Sequence, residues 1–206
     1  MAQNKYNKIL IGVTGGIAAY KVCSLINLFK KEGYEIKVIM TEAATKFVTP
    51  LTFQTLTGSP VYIDMLKNID NTKVEHILLA DWSDICVIAP ATANTISKIA
   101  LGIADDLLTT VIMALPLKTP VLIVPAMNVH MWENPIVQNN IESLKKYEAG
   151  KTNKYVFIPP RNGLLACGYE GAGKIAVPED IFEKAKKILI EKNKYGRKSE
   201  RISKRN

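Results

Sequence analysis

The stretch Lys8-Ile-Leu-Ile-Gly-Val13 is broken by Thr14-Gly15-Gly16, after which apolar residues recur at Ala18, Val22, Leu25 and Phe29. The first pattern is that of a buried strand, and the second, at i, i+4, i+7 and i+11, is that of an amphipathic helix. Gly33 closes this helix, and Glu35-Ile-Lys-Val-Ile-Met40 begins a second strand. A strand, a helix and a strand in so short a stretch leave little freedom: the strands are parallel and the crossover is right-handed. The chain therefore opens with the start of an α/β sheet.

The same signals return downstream. The segment from Asp84 to Ala89, with Ile85, Val87 and Ile88, and the run Val121-Leu-Ile-Val124 are short, apolar and ended by proline, as central parallel strands buried on both faces are. Between them Ile96, Ile99, Ala100 and Ile103 share one helical face, and Leu108, Val111, Ile112 and Leu115 form a second set behind Asp105, the expected N-cap. Tyr155-Val-Phe-Ile158 gives a last strand, and Pro178-Glu-Asp opens a helix that turns Ile181, Ala185 and Ile188 inward. The expected fold is α/β: a single-domain doubly wound parallel sheet, a Rossmann/flavodoxin-like three-layer sandwich over residues 1–190. No internal repeat interrupts it.

A net charge of +8 raises the question of a nucleic-acid partner, so where it sits matters. Residues 191–206 carry Lys192, Lys194, Arg197, Lys198, Arg201, Lys204 and Arg205 against Glu191 and Glu200. This basic stretch reads as a solvated, disordered tail, and no nucleic-acid partner is expected. Apolar residues make up 48% of the chain, yet no run approaches the roughly 18 needed for a membrane span, and Met1 to Lys8 is polar. Neither a signal peptide nor a membrane contact is expected, and the predicted location is cytoplasmic. Cys23, Cys86 and Cys167 form no C-x-x-C pair and share no metal-ligand spacing with the two histidines, so no metal is expected. Cys23 and Cys86 fall in apolar patterns that suit small buried hydrophobes. Cys167, among glycines and small residues, is the thiol whose setting suggests chemistry.

Ligands of open parallel sheets bind beyond the carboxyl ends of the strands, so the segments there are the candidate site. Thr14-Gly15-Gly16-Ile17 lets backbone N–H groups approach a phosphate, although the run from Gly12 is not the G-x-G-x-x-G dinucleotide fingerprint. Thr41-Glu-Ala-Ala-Thr-Lys46 offers a hydroxyl either to a phosphate or ribityl oxygen or as a helix N-cap. Pro90-Ala-Thr-Ala-Asn-Thr95 suits either close approach to a flat ring or an ordinary capping loop. Pro125-Ala-Met-Asn-Val-His-Met-Trp132 sets an amide, Asn128, among thioethers and an indole, with no evident fold reason for the Asn. His76 before an apolar helical run is either a general base or a structural residue, and His130 reads as a supporting group. Leu165-Ala-Cys167-Gly-Tyr-Glu-Gly171-Ala-Gly173-Lys174 is glycine-rich and reads either as a mobile lid whose thiol acts as an acid or as a surface loop with an ordinary Cys.

Together these segments resemble the homo-oligomeric flavin-containing cysteine decarboxylases, and within them the branch that acts on phosphopantothenoylcysteine in coenzyme A synthesis. The resemblance spans Lys8 to Leu189 and is most specific at Pro125 to Trp132, which is similar to the family's P-x-M-N-x-x-M-W motif. His76 matches its catalytic histidine, and Ala166-Cys167-Gly168 with Gly171 and Gly173 resembles its substrate clamp. The resemblance implies an FMN-binding decarboxylase domain over 1–190, with FMN held by Gly15, Gly16, Thr41, Pro90, Ala91, Thr92, Ala93 and Asn94. It implies His76 as base, Asn128 as the carboxylate-binding amide and Cys167 as proton donor, with Met131, Ala166, Gly168 and Lys174 also on the substrate. Lys174 stands where the family often has Arg, keeping the charge without the planar fork. The family further implies a homotrimer or an assembly of trimers, with His76 supplied across a subunit boundary, and a phosphopantothenate-cysteine ligase as partner. Two relatives compete with this reading: a peptidyl-cysteine decarboxylase of lantibiotic-type biosynthesis, and a non-catalytic FMN-binding phosphatase regulator.

Overall fold

The computed structural model describes residues 7–65, 74–149 and 152–203, and for 194–203 the backbone only. Strand β1 (Lys8–Val13) pairs in parallel with β2 (Glu35–Met40), from Lys8 opposite Glu35 to Val13 opposite Met40. A 3-10 turn, Ile17–Lys21, and helix α1 (Val22–Lys31) make the crossover. Gly33, at φ +79°, takes the left-handed conformation that ends the helix. The βαβ unit read from the sequence is thus present.

Helices α2 (Glu42–Thr45) and α3 (Pro50–Thr57) lead to the short edge strand β3 (Val61–Tyr62). Helix α4 (Glu75–Trp82) feeds β4 (Ile85–Ala91), and α5 (Ala93–Leu101) and α6 (Leu107–Ala114) return the chain to β5 (Val121–Pro125). Helices α7 (Val129–Glu133) and α8 (Pro135–Lys145) follow, then a small ribbon of β6 (Glu148–Ala149) and β7 (Thr152–Asn153), then the edge strand β8 (Tyr155–Phe157). A second ribbon, β9 (Arg161–Leu164) with β10 (Glu170–Lys174), precedes the last helix, α9 (Pro178–Ser203).

The main sheet runs β3-β2-β1-β4-β5-β8 with every pair parallel. Side-chain alternation divides its core in two. Ile9, Ile11, Val13, Ile85, Val87 and Ala89 pack with Val22, Leu25, Phe29 and Phe182 on one face. Leu10, Cys86, Ile88 and Ile123 pack with Ile96, Leu108, Val111 and Ile141 on the other. Burial on both faces is why β1, β4 and β5 read as unbroken apolar runs, and helices on both faces give the expected three layers.

Two local expectations are corrected. Asp106 rather than Asp105 caps α6: its Oδ1 accepts from Thr109 N at 2.8 Å, and Thr109 Oγ1 accepts from Asp106 N at 3.3 Å. Only from position 106 does a hydroxyl three residues on close this reciprocal box, and Asp105 instead meets Lys98 at 2.6 Å. Helix α9 continues through Ser203, so the stretch expected as a disordered tail is helical to that point; 204–206 lie outside the described residues. Its Lys, Glu and Arg are good helix formers, and Lys192 Nζ anchors the stretch by donating to the Asp84 carbonyl at 2.7 Å.

Strands β2 and β3 step away from β1 in one direction, and β4, β5 and β8 in the other. The reversal leaves a crevice between the carboxyl ends of β1 and β4, the expected ligand position of a doubly wound sheet.

Candidate active site

A cavity of about 530 Å³ opens at this crevice. Gly15 and Gly16 line it from the end of β1, Thr92 and Ala93 from the start of α5, and Ala126, Met127 and Asn128 from the end of β5. Ile17, Ala18, Tyr20 and Lys21 of the 3-10 turn, Met131 of α7, and Leu164 to Cys167 with Gly173 to Ile175 of the second ribbon complete it. Its size is that of small-molecule and cofactor sites.

Backbone packing holds the loops around the cavity. Thr14 is buried, and its Oγ1 donates to the Pro90 carbonyl at 2.7 Å while accepting from Thr92 N at 3.0 Å, which ties the ends of β1 and β4 together. A Cβ on Gly15 would run into Ala43, so a bare glycine is what lets this loop pass α2. A side chain on Gly16 would meet only open space.

Asn128 and Cys167 reach the cavity from different elements. Asn128 is the N-cap of α7: its Oδ1 accepts from His130 N at 2.8 Å, so the amide does have a fold reason. That contact fixes the amide and aims Nδ2 at Cys167 Sγ, 3.2 Å away. Cys167 sits in the turn joining β9 to β10, which is closed by Leu165 N to the Tyr169 carbonyl at 2.8 Å and Gly168 N to the Leu165 carbonyl at 3.0 Å. Gly168, at φ +83°, makes that turn. The segment from Leu165 to Lys174 thus forms the turn and the second strand of a hydrogen-bonded hairpin. A backbone hydrogen bond from Tyr169, and after it the Asn128 amide, hold the exposed Cys167 thiol below its ordinary pKa. Both stabilise the thiolate.

The hairpin is seated by Met127 N donating to the Gly173 carbonyl at 3.1 Å, and a Cβ on Gly173 would collide with the Met127 carbonyl oxygen. Gly173→Ala is expected to destabilise the protein by about 2–3 kcal/mol, lowering Tm by roughly 5–10 °C. Thermal unfolding followed by circular dichroism measures this; an unchanged Tm would mean that β10 is not packed against this strand end.

Of the residues expected at the site, Gly15, Gly16, Thr92, Ala93, Asn128, Met131, Ala166, Cys167 and Lys174 line the cavity. Thr41 does not; it caps α2, accepting from Ala44 N at 3.3 Å. Pro90 and Ala91 are buried within β4, Asn94 is exposed on α5, and Gly168 lies in the turn, all off the cavity wall. His76 sits half-buried on the first turn of α4 and is not part of the wall formed by this chain. Sequence reasoning missed Tyr20 and Lys21, and it gave Thr14 no role of its own. Thr14 was part of a motif already singled out, and its position directly after the apolar run was the available signal. Among the described residues no three His, Cys, Asp or Glu side chains gather in a way that holds a metal ion.

The wall fits a flavin nucleotide: a glycine loop with open space beside Gly16, the Thr92 hydroxyl, and apolar Ala93, Ala126 and Met127 for a flat ring. Residues 2–189 match the family model described as Flavoprotein. The chain is 49% identical to the coenzyme A biosynthesis bifunctional protein CoaBC of Bacillus subtilis, over 89% of this chain and 43% of that protein. It is 44% identical to the probable phosphopantothenoylcysteine decarboxylase of Streptococcus mutans, over 88% of this chain and 98% of that protein. It thus spans less than half the length of the bifunctional relative. Among solved structures, it aligns with a cysteine-to-serine mutant of a PPC decarboxylase complexed with pantothenoylaminoethenethiol. The TM-score is 0.77 and the identity 32%, over 88% of this chain and 97% of that one. The FMN-dependent cysteine decarboxylase SpaF aligns with a TM-score of 0.75 and 28% identity, over 92% and 98% of the two chains. The match over nearly the whole chain, together with these relatives, shows that the chain belongs to the Flavoprotein family.

Proposed function

We propose that this chain removes the cysteine carboxylate of 4'-phosphopantothenoylcysteine, with FMN as resident cofactor, and yields 4'-phosphopantetheine in coenzyme A biosynthesis. The observation that carries this reading is the 3.2 Å approach of the Asn128 amide to the Cys167 thiol inside one largely apolar cavity. It pairs an anion-binding donor with a proton donor. The similarity to proteins described as phosphopantothenoylcysteine decarboxylases supports the choice of substrate.

Decarboxylation of an unactivated amino acid leaves electrons with nowhere to go. When bound, FMN supplies two-electron oxidation of the substrate's CH2–SH carbon, which creates an acceptor β to the carboxylate, and later returns the electrons. Gly15, Gly16, Thr92 and Ala93 would hold it. Asn128, its Oδ1 committed to His130 N, presents Nδ2 to the departing carboxylate as a neutral donor and so orients it without forming an ion pair that would oppose loss of carbon dioxide. Cys167, made more acidic by Tyr169 and Asn128, delivers a proton to the substrate carbon as the product becomes saturated. Leu165, Ala126 and Met127 give that carbon an apolar surround.

His76 serves as the base that takes the substrate thiol proton, reaching the cavity of a neighbouring subunit of a homotrimer. No helix among the described residues is long and apolar enough to cross a membrane, which agrees with a cytoplasmic enzyme. A phosphopantothenate-cysteine ligase is the proposed functional partner, and relatives named as bifunctional proteins of coenzyme A biosynthesis support a second activity acting beside this one. The test is direct. The purified protein is expected to show the flavin absorbance bands and to convert phosphopantothenoylcysteine to the saturated thiol, identified by mass. A flavin-loaded protein that leaves this substrate untouched and decarboxylates a cysteine-ending peptide would replace the reading with that of a peptide decarboxylase.

A further inference from the structure

We propose that Lys21, Arg161 and Lys174 form a binding site for a phosphomonoester dianion at the rim of the cavity, and that its occupant is the phosphate tail of the substrate. The assignment rests on the decarboxylase reading above. Lys21 ends the 3-10 turn, whereas Arg161 and Lys174 are direct partners in the β9–β10 ladder. The register shift between Ala172 and Lys174 is what sets Lys174 opposite Arg161, and such a bulge re-aims side chains at a strand end. Lys174 lines the cavity, and so does Lys21. Two separate elements thus bring three cations to one rim.

Among the described residues no Asp or Glu forms an ion pair with any of the three, whereas Lys98, Lys145, Lys186 and Lys192 each have a carboxylate within 4.0 Å. Burial first, then the charges of Lys174 and Arg161, push the Lys21 ammonium below its ordinary pKa, so the three lie close enough to repel. A dianion among them removes that repulsion and gains charge-assisted hydrogen bonds, and the Arg161 guanidinium can grip two phosphate oxygens at once.

The ribbon also sets the spacing. Cys167 sits at its tip and the Arg161–Lys174 pair at its base. From Arg161 to Leu164 the strand rises about 10 Å at roughly 3.3 Å per residue, and the turn adds to this. A molecule with its carboxylate and thiol at Asn128 and Cys167 reaches the cations only if it is long and carries its anion at the far end. Phosphopantothenoylcysteine has that form. Arg161 and Lys174 are exposed, which suits a ligand that exchanges at every turnover more than a cofactor that stays.

The flavin phosphate has the same chemistry, so the experiment separates the two sources. Steady-state kinetics of the FMN-loaded enzyme are compared for phosphopantothenoylcysteine and its dephosphorylated form, in the wild type and in Lys21→Met, Arg161→Met and Arg161→Lys. Each Met variant is expected to lower kcat/KM for the phosphorylated substrate about 10- to 100-fold, mainly through KM, and to narrow the preference over the dephosphorylated form. Arg161→Lys restores most of that preference, and FMN content by absorbance stays at the wild-type ratio. Arg161 lies exposed on the ribbon, so its variants keep the test available if Lys21→Met fails to fold. An unchanged preference in the Arg161 and Lys21 variants overturns the site. Loss of FMN with an equal fall for both substrates assigns the cations to the cofactor and overturns the substrate assignment. A flavin-loaded wild type inactive on both substrates instead overturns the decarboxylase reading itself.

Discussion

Replacing Asn128 by Asp is expected to lower kcat/KM for decarboxylation by at least about 1000-fold while the protein stays folded and retains FMN. The change is nearly isosteric, and Asp caps helices as well as Asn does, so the bond from His130 N to Oδ1 survives. What goes is the Nδ2 donor, and what arrives is a negative charge where the substrate carboxylate must sit. A hydrogen bond to a charged group is worth about 1.5–3 kcal/mol, and two like charges about 4 Å apart at intermediate dielectric cost about 4 kcal/mol. The repulsion is the larger effect, so Asn128→Asp should be more damaging than Asn128→Ala even though Ala loses the cap. The opposite order would show that Asn128 matters for the α7 turn and not for the substrate.

The same variant makes Cys167 report on the site. Burial pushes the Cys86 thiol up to about 12 and also raises Cys23, so Cys167 is the thiol that reacts with iodoacetamide near neutral pH. In the Asp variant Cys167 loses one stabilising donor and gains an adjacent negative charge, and both raise its pKa. The midpoint of its alkylation profile should therefore move to higher pH than in the wild type. An unmoved midpoint would separate the two side chains and remove the pairing on which the proposed function rests.

How much of this was legible in the sequence depended on how strongly each element constrains its own residues. β1, β4 and β5 are buried on both faces, so nearly every position must be apolar and the strands announce themselves. β9 and β10 carry no such constraint. Arg161-Asn-Gly-Leu164 and Glu170-Gly-Ala-Gly-Lys174 contain three glycines, residues depleted from strands, and read as a loop. Two of the three are there because a Cβ would strike Val129 or the Met127 carbonyl. Close packing onto the site thus erased the strand signal. Motif order placed Asn128 and Cys167 at the site, but the convergence of Lys21 with Arg161 and Lys174 depends on two turns whose directions no local pattern encodes. The position of His76 outside the cavity wall was likewise unreadable, because α4 is apolar on more than one side, with Ile77 and Leu78 exposed, and its pattern does not say whether it borders the cavity.

Exchanging the Cys167 thiol for a hydroxyl should change the identity of the product. In Cys167→Ser the backbone bonds that close the hairpin turn, Leu165 N to Tyr169 O and Gly168 N to Leu165 O, involve no sulfur, so the tip keeps its shape. Asn128 remains in place to bind the carboxylate, and oxidation and loss of carbon dioxide proceed. Only the delivery of the last proton fails, since a serine hydroxyl is a far weaker acid than a thiol that Tyr169 and Asn128 already hold below its ordinary pKa. A positioned general acid contributes roughly 10²- to 10⁴-fold, and formation of the saturated thiol should fall by that factor. The unsaturated thiol, two hydrogens lighter, should form in its place, one equivalent per flavin reduced or more where dissolved oxygen reoxidises the flavin, and be seen by mass spectrometry. Wild-type amounts of saturated product would end the donor assignment. The double variant orders the two proposed roles: if Asn128 acts before carbon dioxide leaves and Cys167 after, Asn128→Asp combined with Cys167→Ser should yield neither product, matching Asn128→Asp alone.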